Sequence, residues 1–160
     1  MLFRSLKGNE EIVFLLVGSG ARREALLEKA REMQLDNVVF LPRQAKEDMP
    51  AVWSICDVSL IQLKDDPLFR SVIPSKIFES MGMGLPIILS LPEGEAAELV
   101  RASGGGVVIP PEQPEVLAET VVRLNEHRDE LEALAEASLA AAPGHSRVKQ
   151  AKMKIGRAHV

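Results

Sequence analysis

The sequence predicts an α/β fold: a doubly wound parallel sheet of five strands with helices on both faces. Three observations predict it. Short apolar runs alternate with amphipathic segments five times along the 160 residues, the order expected of strands joined by crossover helices. The runs are apolar throughout rather than at every second position, as in strands covered on both faces. Glycine and proline punctuate their ends.

The elements follow in order. Residues 12–17 (IVFLLV) read as a buried strand that ends at Gly18-Ser19-Gly20. Across 22–33, Ala25, Leu26, Ala30 and Met33 share one helical face. Residues 38–41 form a second strand closed by Pro42, and 46–55 a short helix with Met49, Val52, Trp53 and Ile55. Asp57 precedes a third strand at 58–63, and a polar loop with Pro67 covers 64–71. A helix spans 74–83, with proline at its start, where a missing N–H is harmless. A fourth strand at 86–90 and a helix at 95–102 follow, ended by Gly104-Gly105-Gly106. Residues 107–109 make the fifth strand before Pro110-Pro111. Helices are expected at 114–125 and 129–142, broken by Pro143-Gly144, and a basic helix from 146 to about 155. The last five residues, 156–160, carry no packing pattern.

Composition narrows the function. Hydrophobic residues make up 46% and charged residues 26%, with a formal net charge of −4. No broad basic surface follows, so nucleic acid is not expected as a partner. Five Phe, one Trp and no Tyr leave too few aromatics for a base-stacking platform. The single cysteine, Cys56, allows neither an intrachain disulfide nor a thiolate metal cluster, and its apolar neighbours suit a small buried hydrophobe. His127, His145 and His159 lack metal-ligand spacing. The longest apolar runs are too short to span a bilayer, and the expected location is cytoplasmic. Neither a P-loop nor a Gly-x-Ser-x-Gly elbow occurs.

Three places can carry chemistry. Gly18 and Gly20 lie between a strand and a helix, where glycines allow close approach and a helix start favours an anion. The run lacks the third glycine of a dinucleotide fingerprint, and a plain turn also explains it. Lys76 and Glu79, spaced i, i+3 on a first helical turn, lie near one face. Lys76 with the Ser75 hydroxyl suits a phosphate, and the Glu79 carboxylate can accept from both hydroxyls of a ribose. A solvated ion pair on a surface helix fits the same spacing. Glu93-Gly94-Glu95 suits a helix cap better than a sugar contact.

Read as an ordered series, these segments resemble the C-terminal half of a GT-B-fold retaining glycosyltransferase of the group 1, or family 4, type. FLLVGSGARREALLEKA is similar to that family's strand, glycine turn and helix; LDNVVFLP and CDVSLIQL to its next two strands. VIPSKIFESMGMGLPIILS resembles its donor-site segment, closest to the Pro-Ser-Lys-x-x-Glu polysaccharide-biosynthesis branch. GEAAELVRASGGGVVIPPEQPEVLAETVVRL resembles the closing helix, strand and helix, and HSRVKQA the start of a last helix crossing back to the N-terminal domain.

The resemblance implies a Rossmann-like donor domain over residues 1–145 and a crossing helix and tail over 146–160. It implies binding of a nucleotide-diphosphate sugar, expected to be a UDP-sugar, for hexosyl or N-acetylhexosaminyl transfer with retention. No metal or cofactor is implied, because the nucleotide sugar is the substrate. Glu79 matches the ribose-binding glutamate, Lys76 falls near the diphosphate, and Arg43 follows the second strand where relatives contact the base. Ser71 stands where many relatives carry a donor-sugar glutamate eight positions earlier, and Val72-Ile73-Pro74-Ser75 replaces a glycine-rich loop.

Whole enzymes of this kind also have an acceptor domain, and their donor sheet has a central first strand. Neither is visible in this sequence, so it reads as a fragment, incomplete and inactive alone, with a gap at the nucleotide crevice. A missing N-terminal acceptor domain or a partner chain would complete it, and the full-length enzyme would bring peripheral membrane association. The alternatives are a non-catalytic nucleotide-sugar-binding module and an enzyme like UDP-N-acetylglucosamine 2-epimerase.

Overall fold

The computed structural model describes residues 6–145. Among the described residues, five strands alternate with six helices: β1 (Phe14–Val17), α1 (Arg23–Glu32), β2 (Val38–Leu41), α2 (Met49–Trp53), β3 (Ser59–Gln62), α3 (Ser75–Gly82), β4 (Ile87–Ser90), α4 (Glu95–Ser103), β5 (Gly106–Ile109), α5 (Pro114–Glu126) and α6 (Arg128–Ala141). Two 3₁₀ turns, Pro67–Arg70 and Ala142–His145, complete the set. The expected helix at 146–155 and the tail at 156–160 lie outside the described residues.

All five strands are parallel, as the apolar runs predict, and they pair as a two-stranded and a three-stranded sheet. β1 pairs with β2, Phe14 opposite Val38 and Val17 opposite Leu41. The second sheet has the order β3-β4-β5, with Ser59 opposite Ile87 and Ile87 opposite Gly106. Among the described residues, β1 and β3 each pair on one side only.

The chain divides into two units, each with its own sheet. The first takes the described residues up to Val52 together with Gln113–Glu126. Its buried residues include Leu6, Ile12, Phe14, Leu117, Ala118 and Leu124. The Asn125 amide donates to Glu11 at 2.8 Å, tying α5 to the segment before β1. The Asn37 side-chain amide donates to the Leu6 carbonyl at 3.0 Å, and its backbone carbonyl accepts from the Phe14 N–H at 2.8 Å.

The second unit takes Trp53–Glu112 and the described residues from His127. β4 is its middle strand and all four of its residues are buried. Ile61, Ile77, Met81, Ile87, Leu89 and Val100 form the core around it. Burying each such side chain stabilises the fold by about 1.5–3 kcal/mol. α3 buries Ile77, Ser80 and Met81 and turns its other side outward. Ala96, Ala97 and Val100 bring α4 onto the sheet, where Gly106 leaves room: a Cβ there would lie 2.9 Å from Val100 Cγ1.

Candidate functional site

In a parallel sheet with crossover helices, ligands bind at the carboxyl ends of the strands. In the second unit, that edge carries the loop from Leu63 to Pro74 after β3, the first turn of α3, and the turn from Leu91 to Gly94 after β4.

Pro74 has extended backbone, φ −61° and ψ 132°, and α3 begins at Ser75, one residue later than the sequence suggests. Pro74 supplies no side-chain cap. The first N–H groups of a helix have no intrahelical acceptor, and the helix start carries partial positive charge. Ser75, Lys76 and Glu79 are all exposed on this turn. The Ser75 hydroxyl donates to Glu79 Oε1 at 3.3 Å. Among the described residues Lys76 joins no ion pair, Glu79 included. The surface ion pair that the spacing also allowed is therefore not formed. A cation, a hydroxyl and a carboxylate are left pointing at solvent on one turn.

The turn is held from below. Ser80 Oγ lies 2.7 Å from the Lys76 carbonyl and 2.7 Å from Ser59 Oγ. A carbonyl only accepts, so Ser80 donates to Lys76 and accepts from Ser59. This buried chain fastens the exposed turn to β3.

The flanking loop is built locally. Asp66 accepts from the Leu68 N–H at 2.9 Å and opens the 3₁₀ turn, with Pro67 next. After β4, Glu93 does not cap α4. It meets Arg101 in a two-pronged salt bridge, both contacts at 2.6 Å. That hydrogen-bonded guanidinium holds the Glu93 carboxyl below its ordinary value of 4.5 and raises Arg101 in turn. Sequence reading missed this fork, and its only trace is an arginine eight residues after the glutamate.

The remaining expected residues lie in the first unit. Gly18 and Gly20 follow β1, and Arg43 follows β2. Because β1 and β2 run parallel in register, both turns leave the same end of their sheet. The Gly18 N–H donates to the Leu41 carbonyl at 3.2 Å, and its φ of 151° suits glycine. The six expected residues thus form two groups, one in each unit.

Two grooves lie elsewhere. One of about 400 Å³ in the first unit is lined by Leu27, Arg31, Leu35 and Phe40. One of about 880 Å³ in the second lies between α4 and the end of α6, its lining including Glu95, Glu98, Ala137 and Ala141. Neither includes Lys76 or Glu79. Cys56 is half-buried, and burial followed by the Asp57 charge pushes its thiol up, away from nucleophilic use. Among the described residues no cluster of three His, Cys, Asp or Glu could hold a metal, and no helix is long and apolar enough to cross a membrane.

Solved structures share this fold. Anabaena HepE, solved in complex with UDP-glucose, superposes with a TM-score of 0.78 at 22% identity, covering 98% of this chain and 43% of that one. WaaG, a glycosyltransferase involved in lipopolysaccharide biosynthesis, matches with a TM-score of 0.69 at 18% identity, covering 89% of this chain and 39% of that one. The C-terminal domain of a glycosyl transferase group 1 family protein from Francisella tularensis gives a TM-score of 0.72 at 15% identity, covering 89% and 73%. The chain thus spans less than half of the HepE and WaaG chains. No curated protein sequence matches it. At these identities the likeness establishes a GT-B Rossmann-like fold, and the sequence itself carries the assignment further. The family model for glycosyl transferases group 1 matches residues 2–127, most of the described chain, and the protein belongs to that family.

Proposed function

We propose that this chain is the donor-binding part of a retaining glycosyltransferase that uses a UDP-sugar in polysaccharide or glycoconjugate synthesis. The observation that supports it most is the first turn of α3, where Lys76 and Glu79 stand exposed and unpaired with each other at the carboxyl edge of a parallel sheet. Glu79 accepts from the two ribose hydroxyls. Lys76 and the first N–H groups of α3 take the diphosphate, joined by the Ser75 hydroxyl once it turns its proton from Glu79. Gly18 and Gly20 keep the close-approach role that their strand-to-helix turn suggests, and Arg43 the base contact that the family resemblance suggests.

In the transfer, the bond from the sugar C1 to the diphosphate oxygen breaks and a bond to the acceptor oxygen forms on the same face. The departing diphosphate takes the acceptor proton. Charge develops on that diphosphate, so a nearby ammonium and the fixed N–H groups of the helix start stabilise the transition state more than the ground state. This chain need supply no general base.

Calorimetric titration with UDP, GDP and ADP tests the reading. UDP is expected to bind best. Glu79→Ala removes an acceptor of two hydrogen bonds, charged ones being worth about 1.5–3 kcal/mol each, so affinity should fall at least about tenfold. Undiminished UDP binding by Glu79→Ala would sink the ribose role.

A further inference from the structure

The loop after β3 and the turn after β4 meet at one point. A Cβ built on Gly94 would overlap the Arg70 carbonyl oxygen and lie 2.8 Å from Arg70 Cα. Gly94 has φ 164° and ψ −163°, extended backbone that any residue adopts. Glycine therefore stands here for space and not for conformation. Arg70 closes the Pro67–Arg70 turn, four residues before Pro74 and five before the start of α3.

Both partners in this contact are stiff. On the loop side, Asp66 holds the Leu68 N–H at 2.9 Å through its carboxylate and the Phe69 N–H at 2.9 Å through its carbonyl. Leu63 and Ile73 anchor the two ends of the loop in the core. On the turn side, the Glu93–Arg101 fork ties the residue before Gly94 to the last turn of α4. With the ends pinned, the seat of Arg70 on Gly94 settles the middle of the loop.

We propose that Gly94 is a positioning residue: the Arg70 carbonyl seated against it locks the 67–73 loop to the β4–α4 turn, and this lock sets how Ser75 and Lys76 are presented to a nucleotide diphosphate. The inference rests on the nucleotide reading of the α3 turn for its functional half. Its structural half, the lock, stands on the contact alone. Any side chain at position 94 must displace Arg70, and a misplacement of about 1 Å can cost on the order of 10²-fold where geometry matters.

Hydrogen exchange and UDP titration on the full chain test it together. In Gly94→Ala, the Leu68 and Phe69 amides should exchange at least about tenfold faster, as in a loosened local unit. The β4 amides should keep their protection, and the Kd for UDP should rise about tenfold or more. Gly82→Ala, whose added Cβ meets nothing within 4 Å, should change neither. Unchanged exchange at Leu68 and Phe69 in Gly94→Ala overturns the lock. Faster exchange with unchanged UDP affinity overturns the positioning role, and equal acceleration of the β4 amides reduces Gly94 to a stability residue and overturns it too. If the unsubstituted chain does not bind UDP, the nucleotide reading fails separately, while the exchange result still decides the lock. Should Gly94→Ala not fold, Arg101→Ala frees the same turn from an exposed position. Faster exchange at Leu68 and Phe69 then supports the lock, and none overturns it.

Discussion

At the start of α3, a line of hydroxyls runs from solvent into the core: Ser75 outside on Glu79, and Ser80 inside between Lys76 and Ser59. The outer hydroxyl and its carboxylate are exposed to solvent and bonded to each other; the inner pair keeps the turn in place. The i, i+3 spacing of Lys76 and Glu79 was legible in the sequence. Whether they pair with each other was not, because that depends on side-chain rotamers at an exposed turn. Glu93 was legible only as an acidic residue near a helix start, since its real partner lies eight residues on, beyond any capping rule. Its carboxyl is held low by Arg101, so the folded value lies below the unfolded one. The sign follows: its stabilisation is present above the ordinary 4.5 and lost as pH falls through the lowered value. Arg101→Ala should return the Glu93 carboxyl toward 4.5 in an NMR titration, and an unmoved titration would show that the fork does not form in solution. Both groups are largely solvated, so the fork orders the turn more than it stabilises the fold.

Among the elements, α6 depends on small residues at the turns it crosses. A Cβ on Gly105 would lie 2.6 Å from Ser138 Cα, and one on Gly104 would touch Ala137 at 3.5 Å. Ser138 is fully buried and donates to the Leu85 carbonyl at 2.8 Å, fixing the helix against the turn before β4. Gly104 ends α4 in the left-handed region at φ 66°, the usual glycine stop. The run Gly104-Gly105-Gly106 therefore has three separate reasons: a helix stop, a seat for α6 and a seat for Val100. The first was readable from the sequence, and the other two required knowing which helix arrives there. Gly105→Ala should destabilise the protein by about 1–3 kcal/mol, the usual cost of overpacking against backbone. A urea midpoint unchanged from that of the unsubstituted chain would refute the seat.

At the scale of the whole molecule, the two sheets differ in protection. β4 is buried at every residue and paired on both sides, whereas β1 and β2 form a two-stranded sheet with Val39 exposed. Two strands alone are marginal, so amide exchange should be slowest at Ile88 and Leu89 and clearly faster at Leu15 and Phe40. Equal protection in the two sheets would contradict this ranking. The sequence by itself determined the α/β class, the five strands, the helices between them to within a few residues, and the turn that bears Lys76 and Glu79. Each is written in local periodicity or in a turn residue, which act over a few positions. Only the tertiary structure decided that Glu93 grips Arg101 and that Gly94 makes room for Arg70. Those outcomes rest on hydrogen bonds and contacts between residues distant in the chain, whose geometry no local pattern encodes.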